Sequence, residues 1–293
     1  MPLKPNLALP PPTILVSISI CSTQLGSAFA KNLIQELGSI TTVLLRIGLG
    51  AIVLFLIQRP QLKGYTRANY LLLILFGLGM AAMNLSFYAA IARIPLGVAV
   101  TLEFVGPLGV ACANSRRILD LLWIFLAGVG IFLLAPVEGS SLDPIGVGLA
   151  LVAAFFWGTY ILLSARVGKV FADINGIALM SAVLTVGTLG LLPLGILSGD
   201  LTRLEPKFLA AGLGVAILSS AIPYTFELEA LKKLPVRVFG VLMSLEPAIA
   251  TILGLIILQE KLEFRAIVAV FLVTLASVGA SALEKRQSAT KFY

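Results

Sequence analysis

The sequence predicts an all-α membrane protein of ten transmembrane helices, built as two inverted five-helix repeats with both termini cytoplasmic. Hydrophobic residues make up 59% of the 293 positions and charged residues only 12%, with a mean hydropathy of +1.04. Soluble domains run nearer roughly 45–50% apolar and 25% charged, so a water-soluble globule has no interior large enough for this surplus. Apolar runs that fit a hydrocarbon core of about 30 Å recur along the whole chain. Lys and Arg, in turn, gather in alternate loops.

The runs follow in order. Ile14 to Ala30 is closed by Lys31, and Ile40 to Ile57 by Arg59. Tyr70 to Ile91 lies between Arg67 and Arg93; Leu96 to Ala113 opens after Pro95 and ends before Arg116 and Arg117. Leu119 to Ala135 completes the first half. Pro144 to Ser164 stops before Arg166, and Asn175 to Leu197 before Arg203. Phe208 to Glu229 sits between Lys207 and Lys232, Val238 to Leu258 between Arg237 and Lys261, and Phe264 to Leu283 ends before Lys285. Glycines and prolines interrupt most runs, which suits packed helices around polar cavities better than isolated anchors. The expected divisions are a cytoplasmic tail over 1–13, a first repeat over 14–135, a second over 144–283 and a cytoplasmic tail over 284–293.

An even number of spans puts both ends on one side. That side carries Lys4, Arg59, Lys63, Arg67, Arg116, Arg117, Arg166, Lys169, Lys232, Lys233, Arg237, Lys285, Arg286 and Lys291, fourteen in all, against Lys31, Arg93, Arg203, Lys207 and Lys261 on the other. Positive residues are retained on the cytoplasmic side, so the termini are expected there. The repeat shows in the spacing of Ala90 and Pro95 against Ala230 and Pro235, an offset of 140 residues that Pro107 and Pro247 share. Ala127-Gly128-Val129-Gly130 finds a later echo in Ala276-Ser277-Val278-Gly279. Five spans per half make the halves inverted, a common construction for secondary transporters with a site near the midplane.

Several function classes are excluded. The net charge of +7 and pI near 9.6 arise from short loops, not from a basic stripe with interleaved aromatics, so nucleic acid is not an expected partner. Cys21 and Cys112 lie in apolar runs at no metal-ligand spacing and read as packed or lipid-facing thiols. There is no histidine, which leaves any proton chemistry to carboxylates. No phosphate loop and no Ser/His/Asp arrangement is present, so ATP hydrolysis and most membrane-enzyme mechanisms lack their parts, and no metal or cofactor is expected. Ala28-Phe29-Ala30 looks like a leader-cleavage site, but only Lys4 precedes it as a basic residue and cleavage would break the repeat; retention is expected.

A carboxylate in hydrocarbon costs at least about 2.5–3.5 kcal/mol, so each intramembrane charge needs a partner or a cavity. Arg46, Glu103, Glu227, Glu229 and Glu246 qualify, Glu229 being the weaker because it nears a helix end. Glu103 precedes Pro107 by one turn and Glu246 directly precedes Pro247, so each joins an ionisable group to a helix-bend proline. Two readings stay open: sites for a substrate ammonium or a proton, or a structural ion pair of Arg46 with either glutamate. Gln24, Asn84, Tyr88, Trp157, Tyr160 and Tyr224 fall near the middle of their runs and are candidates to line a cavity, the Trp and Tyr residues equally to sit in interfacial aromatic belts. The glycines of Gly77-Leu78-Gly79, Gly187 to Gly190 and Gly212-Leu213-Gly214 read as places of close helix contact.

The stretches Pro95 to Leu108, Ser115-Arg116-Arg117, Ala216 to Tyr224 and Leu242 to Ala248 resemble the drug/metabolite transporter superfamily with paired EamA-type repeats, and within it the threonine/homoserine-exporting branch. The similarity runs from Gln24 to Gly279. The superfamily pattern places a Pro in the fourth and ninth helices and a Glu after each; Pro107, Pro247 and Glu260 fit, while Ser115-Arg116-Arg117 replaces the first acid, as in the amino-acid exporters. Glu227 also matches that branch. The resemblance implies alternating access and export of threonine, homoserine or similar amino acids across the plasma (inner) membrane, with protons as the coupling partner. A broader metabolite or drug exporter is the alternative within the class; a polytopic membrane enzyme or structural subunit is the alternative outside it, and a homodimer is left open.

Overall fold

The computed structural model describes residues 10–113, 118–134, 142–231, 234 and 242–283, and every long regular element among them is helical. Of the expected tails over 1–13 and 284–293, residues 1–9 and the whole of the second lie outside the described residues, as do Arg116, Arg117, Lys232, Lys233, Arg237 and the side chains of Cys112 and Glu229.

The first two apolar runs form one element, α1 (Pro12–Ile57), with Pro12 in its first turn, where a missing N–H costs nothing. The sequence places a loop after Lys31; the helix instead continues through it and breaks at Gly38, whose φ of 72° and ψ of 166° suit only glycine. Lys31 needs no loop because its amine finds partners inside the protein. The second limb of α1 then runs back to Ile57. α2 (Arg67–Ile91) starts at an N-cap, the Thr66 hydroxyl accepting from the Asn69 N–H at 3.3 Å.

The fourth run divides at Phe104 into α3 (Leu96–Glu103) and α4 (Val105–Ala113). Pro107 has no N–H to offer the Glu103 carbonyl, so the ladder opens where the carboxylate sits. α5 (Ile118–Leu134) completes the first half. α6 (Pro144–Val170) is capped by Asp143, which accepts from the Ile145 N–H at 2.8 Å. α7 (Gly176–Ser198) is capped by Asn175 and ended by Gly199 at φ 74°. The eighth run comprises α8 (Pro206–Ala216), a π turn (Ile217–Ala221) and α9 (Ile222–Leu231). α10 (Glu246–Ile257) and α11 (Phe264–Leu283) close the fold. Pro247, expected inside a helix, stands in the first turn of α10 after a break at Ser244 and Leu245. There its absent N–H is one the helix start leaves unpaired anyway.

Packing follows the small residues. Gly77 brings α2 against Val183 and Val186 of α7, Gly106 brings α4 against Ala154 of α6, and Gly97 brings α3 against Thr251 of α10. Gly26 sets the first limb of α1 on Leu218 and Ser219, Gly212 sets α8 on Leu45 of the second limb, and Gly130 sets α5 on Ala269 and Val273 of α11. Gly79, Gly109 and Gly214 face open space, so not every glycine of the sequence marks a contact.

The outer surface is apolar, and the interior holds a group of buried polar side chains within an apolar core. Leu197, Phe264 and Phe132 are 82%, 80% and 76% exposed, whereas Arg46 and Glu246 are 7% and 5% exposed. Among the described residues, five helical stretches are long and apolar enough to cross a bilayer: Pro12–Ile57, Arg67–Ile91, Pro144–Val170, Gly176–Ser198 and Pro206–Glu227. Leu96–Val110, Glu246–Ile257 and Phe264–Ala276 are shorter apolar helices. An extensive apolar exterior around an interior that shelters charged side chains is the arrangement of a protein whose solvent is lipid. This is an all-helical, multi-pass membrane protein.

Loops meet at two ends. At one, the Tyr65 hydroxyl donates to Asp173 at 2.5 Å, which pushes the phenol up to about 12. At the other, Arg93 pairs with Asp143 at 3.2 Å, and Lys31, Ile94, Leu96 and Glu260 form a clasp described below.

Candidate functional site

The two limbs of α1, antiparallel across Gly38, carry the buried polar side chains of the interior. Ser19, Gln24 and Ser27 lie on the first limb and Thr41 and Arg46 on the second. Facing them are Tyr88 of α2, Glu103 of α3, Ser219 and Ser220 of the π turn, Tyr224 and Glu227 of α9, and Glu246 of α10.

Arg46 is held by the backbone. Pro223 cannot donate to the carbonyl four residues back, so the Ser219 oxygen is free, and the Arg46 Nη2 donates to it at 3.1 Å. The guanidinium also lies over the Tyr88 ring, 5.1 Å from its centroid. Glu103 acts on Arg46 through space, and no carboxylate pairs with it directly among the described residues. The structural ion pair left open by the sequence therefore has no direct contact here.

The three glutamates converge. Glu246 feels the charges of both Glu227 and Glu103, and the side chain of Gln24 faces it. Glu227 accepts from the Ser19 hydroxyl at 2.5 Å, which ties α9 to the first limb. Tyr224 lies within electrostatic reach of Arg46, Glu227 and Tyr88, and Tyr160 within reach of Tyr224 and Glu227. Tyr160 stacks on Phe76 at 5.0 Å, and Trp157 meets Phe104, the neighbour of Glu103, edge-on at 5.3 Å. Asn84 stands apart from this group: its amide donates to the Met80 carbonyl of its own helix at 2.8 Å.

Unpaired groups accumulate in this interior. Gln24 Oε1, Ser27 Oγ, Thr41 Oγ1, Arg46 Nε, the Tyr88 hydroxyl and the hydroxyls of Ser219 and Ser220 are buried without a hydrogen-bond partner. Each such group costs roughly 1–3 kcal/mol if left unsatisfied, so a cluster of them marks a place for a polar ligand. Sequence reasoning passed over Ser19, Ser219 and Ser220; the signal was the pair of serines one turn ahead of Pro223 in an otherwise apolar run.

A second polar arrangement closes one end. Lys31 Nζ lies 2.5 Å from Glu260 Oε1 and donates to the Ile94 carbonyl at 3.0 Å. The Glu260 carboxylate accepts the Leu96 N–H at 2.9 Å and 3.1 Å and so caps α3. A Cβ on Gly254 would fall 2.4 Å from this carboxylate, so a side chain there would push the Glu260 head group aside. A polar cleft of about 230 Å³ lined by Lys31, Asn32, Gln35 and Ile257 to Glu260 adjoins the clasp. By contrast, a groove of about 520 Å³ between the first limb of α1 and α9, lined by Ile18, Cys21, Leu25 and Phe226, is apolar and faces outward. Glu260→Ala is expected to lower stability by about 1–3 kcal/mol, because it leaves Lys31 unpaired and α3 uncapped. The double variant with Lys31→Met should be no less stable than the single, since the two side chains act as a unit. Thermal unfolding in detergent measures both, and additive losses would contradict the coupling.

The chain is similar to known transporters. The EamA-like transporter family matches residues 144–282. The threonine/homoserine exporter RhtA of Salmonella typhimurium (strain SL1344) is 36% identical over 282 residues, covering 96% of this chain and 94% of its own. RhtA of Escherichia coli K12 gives the same identity and coverage. A solved crystal structure of 19% sequence identity superposes with a TM-score of 0.56 over 94% of this chain and 98% of its own, which speaks to the fold alone. On identity sustained over nearly its entire length, the chain belongs to the EamA-like transporter family.

Proposed function

We propose that this protein is a secondary active transporter that exports small amino acids of the threonine and homoserine kind across the plasma (inner) membrane, coupled to protons by alternating access. The observation that carries this reading is the convergence of Glu103, Glu227 and Glu246 with Arg46 inside a lipid-facing shell. Intramembrane carboxylates are expensive, and the common return is a site for a cation or a proton. The relatives supply the substrate class.

Ten spans in two inverted repeats suit the packing. Numbering the apolar runs one to ten, an exchange of each run in one half for its counterpart in the other carries several of the observed partners onto one another. α2 on α6 maps onto α8 and α9 on the first limb of α1; α2 on α7 maps onto α8 on the second limb; α3 on α10 and α5 on α11 map onto themselves. Alternate loops also meet their own kind, Tyr65 with Asp173 at one end and Arg93 with Asp143 at the other, as they do in any chain that crosses a bilayer back and forth. In this frame the Lys31–Glu260 clasp lies on the outer side and has to part for release.

Counterflow in liposomes tests the reading. Vesicles holding the purified protein and loaded with unlabelled threonine or homoserine are expected to accumulate the labelled amino acid, and collapse of a proton gradient is expected to slow net export. Exchange of bulky cationic dyes with no exchange of any small neutral amino acid would assign a broader drug exporter instead.

A further inference from the structure

The polar groups around Arg46 do not fill one another's hydrogen-bonding capacity. Arg46 Nε and the hydroxyls of Tyr88, Ser219 and Ser220 make no well-formed hydrogen bond, on side chains no more than 7% exposed, although the Tyr88 hydroxyl faces Ser219 and Arg46. Backbone geometry aims them together: the π turn Ile217–Ala221 carries both serines, its Ser219 carbonyl anchors Arg46, and Ser220 packs where Gly50, one turn beyond Arg46, leaves room. A π turn shifts the register of a helix and is frequent at functional sites. The guanidinium cannot lose its proton, and its planar fork suits the two oxygens of a carboxylate. Glu103, Glu227 and Glu246 share this interior and offer acceptors.

We propose that Arg46, with the hydroxyls of Tyr88, Ser219 and Ser220, forms the carboxylate-binding pole of a zwitterion site whose ammonium pole is the glutamate cluster. The assignment rests on the amino-acid reading above and deepens it. It makes the protein selective for a free α-carboxylate and gives Arg46 a binding role instead of a structural one. Because the serines come from the second half of the chain and Arg46 and Tyr88 from the first, the pole spans both halves.

Isothermal titration of the purified protein with L-threonine and with L-threoninol, which keeps the ammonium and lacks the carboxylate, tests it. The unaltered protein is expected to bind threonine at least about tenfold more tightly than threoninol. Arg46→Gln is expected to weaken threonine by about tenfold or more while changing threoninol by less than about threefold, closing the gap; Arg46→Lys restores part of it, as a point charge without the fork. Should Arg46→Gln not accumulate, Tyr88→Phe and Ser220→Ala keep the charge and are expected to narrow the same gap by a few fold. An undiminished preference for threonine over threoninol in these variants would overturn the assignment. Failure of the unaltered protein to bind threonine or homoserine would overturn the amino-acid reading first, and the carboxylate pole with it.

Discussion

Glu103→Gln and Glu246→Gln are each expected to leave the protein inserted and folded while reducing export by at least about thirtyfold, the equivalent of about 2 kcal/mol for removing one partner of a desolvated charge interaction. Glutamine keeps the shape and removes the charge. Folding should survive because neither carboxylate is joined to Arg46 by a direct contact; Glu103 acts on it only through space, and Glu246 faces Gln24. Transport should not survive, because a bound ammonium or proton needs the negative charge where water is scarce. A structural ion pair predicts the reverse, a loss of folded yield that Arg46→Gln repairs. Detergent-extracted, monodisperse yield measured beside counterflow separates the two. Glu227→Gln is expected to have a smaller effect, since the Ser19 hydroxyl can still pair with an amide oxygen. Full proton-dependent transport by both Glu103→Gln and Glu246→Gln would end this role for the pair.

Which parts of the fold could be read in the sequence follows from how far each signal acts. Apolar runs and their bounding charges are local, and they place α2, α6 and α7 within a few residues of where the structure has them. Lys31 misleads for a non-local reason: a basic residue after an apolar run reads as a loop, yet its partners Ile94 and Glu260 are 63 and 229 residues away, and with them the helix continues to Gly38. Prolines mislead by position. Pro107 and Pro247 look like bends inside helices, but the chain uses each near the start of a new helix, α4 and α10, immediately after a break.

The candidate site was legible in its ionisable side chains and not in its neutral ones. Glutamates and an arginine in apolar runs are conspicuous because their burial is costly, and the structure brings Arg46, Glu103, Glu227 and Glu246 into one interior with Tyr88, Tyr224 and Gln24. Serine is common in membrane helices, so Ser19, Ser219 and Ser220 carried no such contrast. Their meaning comes from Pro223 freeing the Ser219 carbonyl, a consequence of one residue's missing N–H that shows only when the acceptor's new partner, Arg46, is in view. Asn84 is the opposite case: a polar residue mid-helix that satisfies its own backbone.

Gly106→Ala is expected to destabilise the protein by about 3 kcal/mol or more, whereas Gly109→Ala, three residues along the same helix, is expected to be neutral or to stabilise by up to about 1 kcal/mol. The two substitutions are chemically identical, so helix propensity favours both equally. They differ in what the added methyl meets. At Gly106 a Cβ would lie 2.0 Å from the Ala154 carbonyl oxygen and 3.1 Å from the Gly158 nitrogen, and backbone of α6 cannot rotate away as a side chain can. At Gly109 nothing lies within 4 Å. Relief at Gly106 requires α4 to withdraw from α6, and α4 begins one residue after the break beside Glu103, so the same shift displaces the carboxylate. Gly106→Ala should therefore lose transport in the fraction that still folds, while Gly109→Ala retains it. Thermal unfolding in detergent and counterflow on the same preparations measure both effects. An unfolding temperature for Gly106→Ala equal to that of the unaltered protein would mean that α4 and α6 do not approach so closely, and would remove the packing that fixes Glu103 in the site.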